Sequence, residues 1–372
     1  MTLRTRVCDI LAIDYPIVLA GMGGASTPEL AAAVSNAGGL GVLGAAGCGP
    51  KLLREWIRRT RELTDKPFGV DTLLPASVRR ANYASSDGPT PQDLLPEMRS
   101  FALTFMEAEG LAPVDPATLQ RRRDPDEPAP LTKEFFEAQM EVVIAERVPV
   151  YASGLGNPGP WMERLRANGT KVMAVVGAVR HAVQVIQAGI DIVVAQGHDG
   201  GGHNSPIGTM ALIPQVVDAV GDTPVLGAGG IADGRGIAAA LMLGAEGVWV
   251  GSAFLAANEA GIHDFQKQAI VDATEEGTTV SRAVTGKPAR IIRSRWTDAW
   301  VRSGKDPLPM PYQGAVSGPV MAAANRDRRG DINPGFAGQG IGMIKAVRPA
   351  QEIFRELVWG AEQALARSSN LV

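Results

Sequence analysis

The sequence predicts a TIM barrel, the (β/α)8 fold of eight parallel strands with helices between them. Short apolar runs alternate with amphipathic segments, and eight such units are complete by about residue 255, which matches a typical barrel of roughly 250 residues. The strand candidates are continuous apolar runs, as in parallel strands that are buried on both faces. A doubly wound open sheet has the same local pattern and is the alternative fold. No Gly-x-Gly-x-x-Gly motif with a later acidic residue follows the first strand, so a Rossmann dinucleotide site is unsupported.

Eight apolar runs are predicted to form or begin the strands. In chain order they cover residues 17–20, 40–43, 68–70, 148–151, 171–176, 190–195, 224–226 and 247–250. The amphipathic segments predict helices over residues 27–37, 50–63, 132–146, 161–167, 179–188, 210–220 and 234–243. The first helix has Thr27 as its cap and Pro28 in its first turn, where both residue types are favoured.

An insertion interrupts the repeating pattern between the third and fourth units. Residues 75–130 hold many prolines and charged residues. Because structureless loops of this length are uncommon in compact domains, we expect a helix over 94–109 that packs over one end of the barrel.

The pattern becomes irregular again after about residue 280. Residues 307–311 and 333–340 are rich in proline or glycine and are predicted to be loops, and a closing helix is expected over 350–366. The sequence therefore predicts a barrel over 1–280 and a small C-terminal subdomain over 281–372. We expect this subdomain to pack on the barrel and to supply substrate contacts.

Composition and charge argue against several classes of partner. The net charge is −3, which does not favour nucleic acid. The arginine triplet at 121–123 is followed by acidic residues and is interpreted as a solvated loop. There is no signal-peptide pattern and no apolar run of about 18 residues. A soluble, cytoplasmic protein is therefore expected.

The cysteines and histidines do not suggest a metal site. Cys8 and Cys48 match no ligand spacing and no disulfide framework. Cys48 lies between two glycines, so we expect a buried thiol there, with a redox role as the alternative. The four histidines form no obvious ligand set either.

Glycine-rich segments follow the last two strands, where TIM barrels commonly bind phosphate. Gly229 and Gly230 come after the seventh strand, shortly before a helix, and Gly251 and Ser252 come after the eighth. Exposed backbone amides and a helix N-terminus favour an anion. The alternative for each loop is a tight turn without a ligand, but two adjacent loops favour a phosphate site.

The turn after the sixth strand carries the leading candidate for acid–base chemistry. It runs from Gln196 through a series of glycines to His203, and histidine can exchange a proton near neutral pH. His198 is the competing candidate. Asp199 either orients the loop or His203, or is a plain turn residue.

In combination, these motifs resemble the nitronate monooxygenase family, formerly called 2-nitropropane dioxygenases. Members are FMN-dependent TIM barrels, related to flavin-dependent enoyl-acyl carrier protein reductases. The resemblance covers most of residues 13–275 and rests on the segments 20–24, 195–203, 227–235 and 251–254.

The resemblance implies a bound FMN whose phosphate lies on the loops after strands seven and eight. Met22 and Gly23 would lie beside the isoalloxazine ring, Gln196 and Lys171 near its polar edge, and His203 would be the catalytic base. Lys171 opens the fifth strand, at the wrong end for the site unless that strand begins later, and a solvated lysine is the alternative. The implied cofactor-binding residues are Ala20, Gly21, Met22, Gly23, Asp71, Lys171, Gln196, Gly201, Gly202, Ala228, Gly229, Gly230, Gly251 and Ser252.

The implied reaction is the oxidation of an alkyl nitronate by O2 to a carbonyl compound and nitrite, in a protein that could form a homodimer. Three residues depart from the family pattern: Asp71 replaces a common asparagine, Gly21 replaces proline, and Asp199 replaces glutamate. A carboxylate at residue 71 would repel an anionic flavin or nitronate unless it is protonated or turned away.

Three other functions remain open. The first is an FMN-dependent NAD(P)H reductase or dehydrogenase that acts on an acyl-CoA or acyl-carrier-protein thioester. The second is a flavin-binding protein without turnover, against which His203 argues, since a carrier needs no base. The third is a phosphosugar isomerase, which the phosphate loops permit but the segment from Gln196 to His203 does not suggest.

Overall fold

The structure is a computed structural model, and it describes residues 3–74, 90–115, 126–130 and 132–368. Much of the predicted insertion at 75–130 therefore lies outside the described residues. The arginine triplet at 121–123 lies outside them as well.

Eight of the strands form a parallel barrel, as predicted. In chain order the strands are β1 (Ile17–Leu19), β2 (Gly41–Gly44), β3 (Phe68–Leu73), β4 (Val150–Leu155), β5 (Lys171–Val176), β6 (Ile192–Gln196), β7 (Gly202–His203), β8 (Val225–Ala228), β9 (Gly247–Val250), β10 (Thr278–Ser281) and β11 (Ala289–Ile292). The barrel order is β1-β9-β8-β6-β5-β4-β3-β2. Backbone hydrogen bonds from Leu19 to Leu40 and from Leu40 to Ile17 join the first strand to the second. The alternative of a doubly wound open sheet is therefore wrong.

The described residues form fourteen α-helices, some of which cover the outside of the barrel. They are α1 (Arg6–Leu11), α2 (Pro28–Asn36), α3 (Pro50–Leu63), α4 (Pro91–Ala108), α5 (Lys133–Ala145), α6 (Met162–Ala167), α7 (Val179–Gln187), α8 (Thr209–Val220), α9 (Gly234–Met242), α10 (Ser252–Leu255), α11 (Asp264–Asp272), α12 (Arg295–Ser303), α13 (Tyr312–Arg326) and α14 (Ala350–Ser368). The predicted helices are present with small shifts at their ends. Helix α4 begins earlier than predicted, because Thr90 and Asp93 form a capping box around Pro91.

Side chains of the barrel strands alternate between its interior and its helix-covered outer face. Val18, Val42 and Val194 belong to the interior cluster. Gly69 pairs with Val42, and Asp71 lies two residues further along the same strand. Gln196 likewise lies two residues after Val194. Both side chains therefore face the interior, at the carboxyl end where the strands of a barrel carry its site.

The extension adds a small sheet and a second hydrophobic core. Strand β7 pairs with β11, and β11 pairs with β10, all antiparallel. Helix α4 of the insertion packs with α12 and α13, where Phe105, Trp296 and Val316 share one cluster. The insertion helix therefore packs on the extension, a partner that the sequence analysis did not predict.

The closing helix α14 packs on the barrel. It lies against α9 and α2, and Ile353, Phe354 and Leu357 belong to the main core. It thus takes the place of the last barrel helix, although about a hundred residues separate it from β9. The predicted division at residue 280 stays a prediction. Among the described residues, no helix is both long and apolar enough to cross a membrane.

Candidate active site

The predicted residues of strands one, three, six, seven and eight meet at the carboxyl end of the barrel. A Cβ atom built on Gly251 would lie 3.3 Å from Met22 Sδ and 3.4 Å from Ala20 Cβ. The barrel strands that lead to these residues are buried, whereas Met22, Gln196 and Gly251 are partly exposed. These residues therefore line an opening rather than a filled core.

The loops after β8 and β9 fit a phosphate group. Within the described residues, the amides of Gly229, Gly230 and Gly251 make no hydrogen bond, and unpaired amides of this kind form anion sites. Gly229 has φ of 106° and Gly230 has φ of 71°, conformations that favour glycine. The hydroxyl oxygen of Ser252 accepts from the Gly338 amide at 2.8 Å, so its proton stays available to a ligand.

The N-terminus of α9 contributes less than expected to this site. The carboxylate of Asp233 caps the helix and accepts hydrogen bonds from the amides of Arg235, at 2.9 Å, and Gly236, at 3.3 Å. Because these amides are already satisfied and a negative charge lies beside them, an anion at this position would be bound mainly by the loop amides.

His203 is held at the opening by the extension sheet. Its Cα is paired with Ala289 of β11, and its carbonyl oxygen accepts from Gln196 Nε2 at 2.9 Å. Its ring atom Nε2 lies 3.0 Å from Thr285 Oγ1. That hydroxyl donates to the Lys287 carbonyl at 3.2 Å, so it accepts from an Nε2–H group. We infer that Nδ1 carries the free lone pair.

The His203 ring is neutral at physiological pH. Burial, and to a lesser degree the positive charge of Lys287, lower its pKa to about 4. Within the described residues, its Nδ1 atom makes no hydrogen bond. A neutral imidazole with an unengaged nitrogen is in the form that accepts a proton.

His198, the competing candidate, stabilises the turn instead. Its Nδ1 atom lies 2.8 Å from the Ser205 carbonyl oxygen, and its own carbonyl accepts from Asn204 and from Arg290. Asp199 accepts from the Thr209 amide at 2.8 Å. Asp199 therefore orients the loop, which decides between the alternatives left open for it.

The prediction that Lys171 lies near the flavin is contradicted by the structure. Lys171 is the first residue of β5, at the amino end of the barrel, opposite the candidate site. Its side chain is exposed and forms a 3.6 Å ion pair with Asp191. Since each strand residue rises about 3.3 Å, the lysine cannot reach the other end.

Replacing Lys171 by alanine should leave the dissociation constant of FMN within a factor of about 2–3, because exposed ion pairs contribute little. Fluorescence titration of the apoprotein measures this constant. A loss of affinity of about tenfold or more would show that Lys171 contributes to cofactor binding after all.

Four further residues of the extension shape the site, and the sequence analysis missed them. Thr285 and Lys287 face His203, as described above. Arg290 is buried and binds the turn at the His198 carbonyl, 3.2 Å away. A Cβ on Gly201 would lie 2.8 Å from Gly338. No local pattern marks these residues, because contacts across long stretches of chain bring them to the turn.

The other polar features of the described residues do not add to this site. Cys8 and Cys48 are both buried and form no disulfide, and burial raises the pKa of the Cys48 thiol to about 12. No group of three or more His, Cys, Asp or Glu side chains among these residues could hold a metal ion. A groove of about 740 Å³ between α11 and the extension is lined by residues such as Phe265 and Arg293, and by none of the predicted site residues.

Comparison with known proteins agrees with this arrangement. The family model described as nitronate monooxygenase matches residues 4–360. The Mycobacterium tuberculosis protein Rv1533, which carries a monooxygenase name, is 39% identical over 96% of both chains. The structure of nitroalkane oxidase from Streptomyces ansochromogenes is 30% identical, with a TM-score of 0.81 over 97% of this chain and 99% of that one. FabK from Thermotoga maritima is 32% identical, with a TM-score of 0.75 over 100% of both chains.

These similarities extend over the barrel, the extension and the closing helix alike. The family resemblance inferred from the motifs is therefore confirmed over nearly the whole chain. The chain belongs to the nitronate monooxygenase family, and it is a flavin-dependent oxidoreductase.

Proposed function

We propose that this protein binds FMN and oxidises alkyl nitronates with O2 to a carbonyl compound and nitrite. One observation carries the proposal. The unpaired loop amides of Gly229, Gly230 and Gly251 and the neutral His203 lie around the same opening of the barrel. A phosphate site and a base at one opening suit a flavin nucleotide that works on a small organic substrate.

The residues at the opening fit the proposed cofactor. The loop amides and the Ser252 hydroxyl would hold the phosphate, as charge-assisted hydrogen bonds to an anion. The partly exposed Gly21, Met22 and Gly202 leave room for a flat ring. A Cβ built on Gly202 would have no atom within 4 Å, so this part of the turn is open to a ligand.

The flavin supplies the electron-transfer chemistry toward the nitronate and O2, and the chain supplies the acid–base groups and the charge. His203 Nδ1 takes the proton from the α-carbon of a neutral nitroalkane, which produces the nitronate inside the site. The positive charge of Lys287 beside His203 favours an anionic substrate. Gln196 binds the His203 carbonyl and so keeps the base fixed at the opening.

The proposal predicts a yellow protein that releases FMN on heating and whose flavin absorption is bleached by a nitronate. The holoenzyme is mixed without oxygen with propyl nitronate, NADH and NADPH in separate reactions. We expect bleaching by the nitronate alone, and nitrite release when O2 is admitted.

Two results would contradict this prediction. Rapid bleaching by a nicotinamide, with no response to the nitronate, would favour a reductase that uses NAD(P)H. A colourless protein that cannot be reconstituted with FMN would remove the cofactor from the proposal altogether.

Two broader expectations stay predictions. A cytoplasmic location is expected because the two cysteines of the sequence suggest no disulfide framework. A homodimer is tested by light scattering on the purified holoenzyme, where the mass of one chain, 39.0 kDa, is the contrary result.

A further inference from the structure

Asp71 is a buried carboxyl group at the opening, and one of its oxygens has no partner. The side chain lies on β3, faces the barrel interior and is 7% exposed. The Gly154 amide donates a hydrogen bond to the carboxyl group. Among the described residues, Asp71 Oδ1 has no hydrogen-bond partner. A buried polar atom without a hydrogen-bond partner destabilises the folded protein. The unpartnered oxygen therefore suggests that a ligand binds it when the protein is active.

Two glycines shape the space around this carboxyl group. A Cβ on Gly154 would lie 2.6 Å from Asp71 Oδ1, and a Cβ on Gly21 would overlap the Asp71 side chain. Gly21 and Gly154 are themselves partly exposed at the opening. The carboxyl group thus lies between the backbones of Gly21 and Gly154, beside the opening that a flat ring would occupy.

In the part of the chain that the structure describes, no cation compensates a negative charge at Asp71. The elements around it contribute Gly21 after β1, the Gly44–Ala45 backbone beside β2, and Gly154 with Tyr151 on β4. Tyr151 is the titratable side chain among them, and burial raises its own pKa. Within the described residues, no lysine or arginine acts on Asp71, and burial raises its pKa well above the usual range. Burial therefore favours the protonated form of the carboxyl group, which can donate a hydrogen bond.

We propose that Asp71 binds the isoalloxazine ring as a neutral carboxylic acid, donating a hydrogen bond to a ring oxygen or nitrogen, so that flavin affinity falls as pH rises. This inference rests on the proposed flavin site and adds to it the protonation state of a residue that departs from the asparagine common in the family pattern. A neutral donor removes the repulsion that a carboxylate would exert on an anionic flavin or nitronate.

The test is a fluorescence titration of the apoprotein with riboflavin between about pH 6 and about pH 9, a window above the ordinary carboxyl value of about 4. Riboflavin is used because it has no phosphate group that titrates. For the unmodified protein, we expect the dissociation constant to rise with pH by up to about tenfold per unit, once Asp71 ionises. Asp71→Asn keeps a donor without an ionisable proton, so its dissociation constant should not change with pH.

Asp191→Asn is the matched control, since it removes a carboxylate at the opposite end of the barrel, and it should keep the pH dependence of the unmodified protein. Riboflavin affinity that rises with pH, or an unchanged pH dependence in Asp71→Asn, would overturn the inference. Absence of flavin binding at every pH would instead contradict the proposed function.

A second measurement needs no flavin. The folded state holds the Asp71 proton more tightly than the unfolded state does, so stability falls as pH rises from about 4 toward the folded pKa. Urea unfolding of the apoprotein should therefore show an unfolding constant that rises by up to about tenfold per pH unit more than that of Asp71→Asn. Parallel pH dependences of the two proteins would overturn the inference, even if the variant bound flavin poorly.

Discussion

Replacing His203 by alanine is expected to leave flavin bound and to lower kcat/KM for neutral nitroalkanes by about 10²- to 10⁴-fold, the usual contribution of a positioned base. The reason is that His203 holds its free nitrogen at the opening, in the neutral form that accepts a proton. A preformed nitronate needs no deprotonation, so its turnover should fall much less. Steady-state oxygen consumption with both substrates measures the difference.

The pH dependence gives a second readout of the same residue. A base acts in its deprotonated form, and the pKa of His203 is lowered to about 4. For the free enzyme, kcat/KM for a neutral nitroalkane should therefore show no inflection near the ordinary histidine value of about 6.5, and should decline only toward about pH 4. A clear inflection near neutral pH would show that another group is the base.

His181→Ala is the control for His203→Ala. His181 is exposed on α7, a helix outside the barrel strands, and its loss should change neither substrate's turnover. If His203→Ala kept full activity on neutral nitroalkanes, His203 would have no role as base. An equal loss with nitroalkane and nitronate would instead assign it to binding.

Replacing Phe354 by alanine is expected to lower the free energy of unfolding by about 3–5 kcal/mol, as for other large buried aromatic side chains. Phe354 is 1% exposed and lies edge-on to Tyr15, with ring centroids 6.0 Å apart. It fixes α14 to the bottom of the barrel, where a Cβ on Gly39 would meet its ring. Urea unfolding, followed by circular dichroism, measures the change.

Trp359 on the same helix supplies the control, because 66% of its surface is exposed. Trp359→Ala should change the free energy of unfolding by about 0.5 kcal/mol or less. If Phe354→Ala cost no more than this, α14 would be an appendage rather than the last helix of the barrel.

Much of the barrel could be predicted because its signals are local. Strand β5 and helix α3 have the predicted bounds, since continuous apolar runs and 3.6-residue periodicity depend on neighbouring residues alone. The loops after β8 and β9 were predictable for the same reason, because glycine-rich turns at strand ends are visible in the chain. The insertion helix was predicted too, but its packing against α13 was not, since that contact joins residues far apart in sequence.

The amino-acid sequence by itself determined the barrel, the glycine-rich loops that we propose bind phosphate, and the choice of His203 as the leading candidate base. Only the tertiary structure decided the pKa shifts of His203 and Asp71 and which distant residues contact the site. Lys171 lies at the amino end of its strand, Thr285 orients His203 from the extension, and burial raises the pKa of Asp71 well above its usual range. These properties depend on burial and on contacts between distant segments. Hydrophobic periodicity and turn preferences, in contrast, depend only on residues that are close together in the sequence.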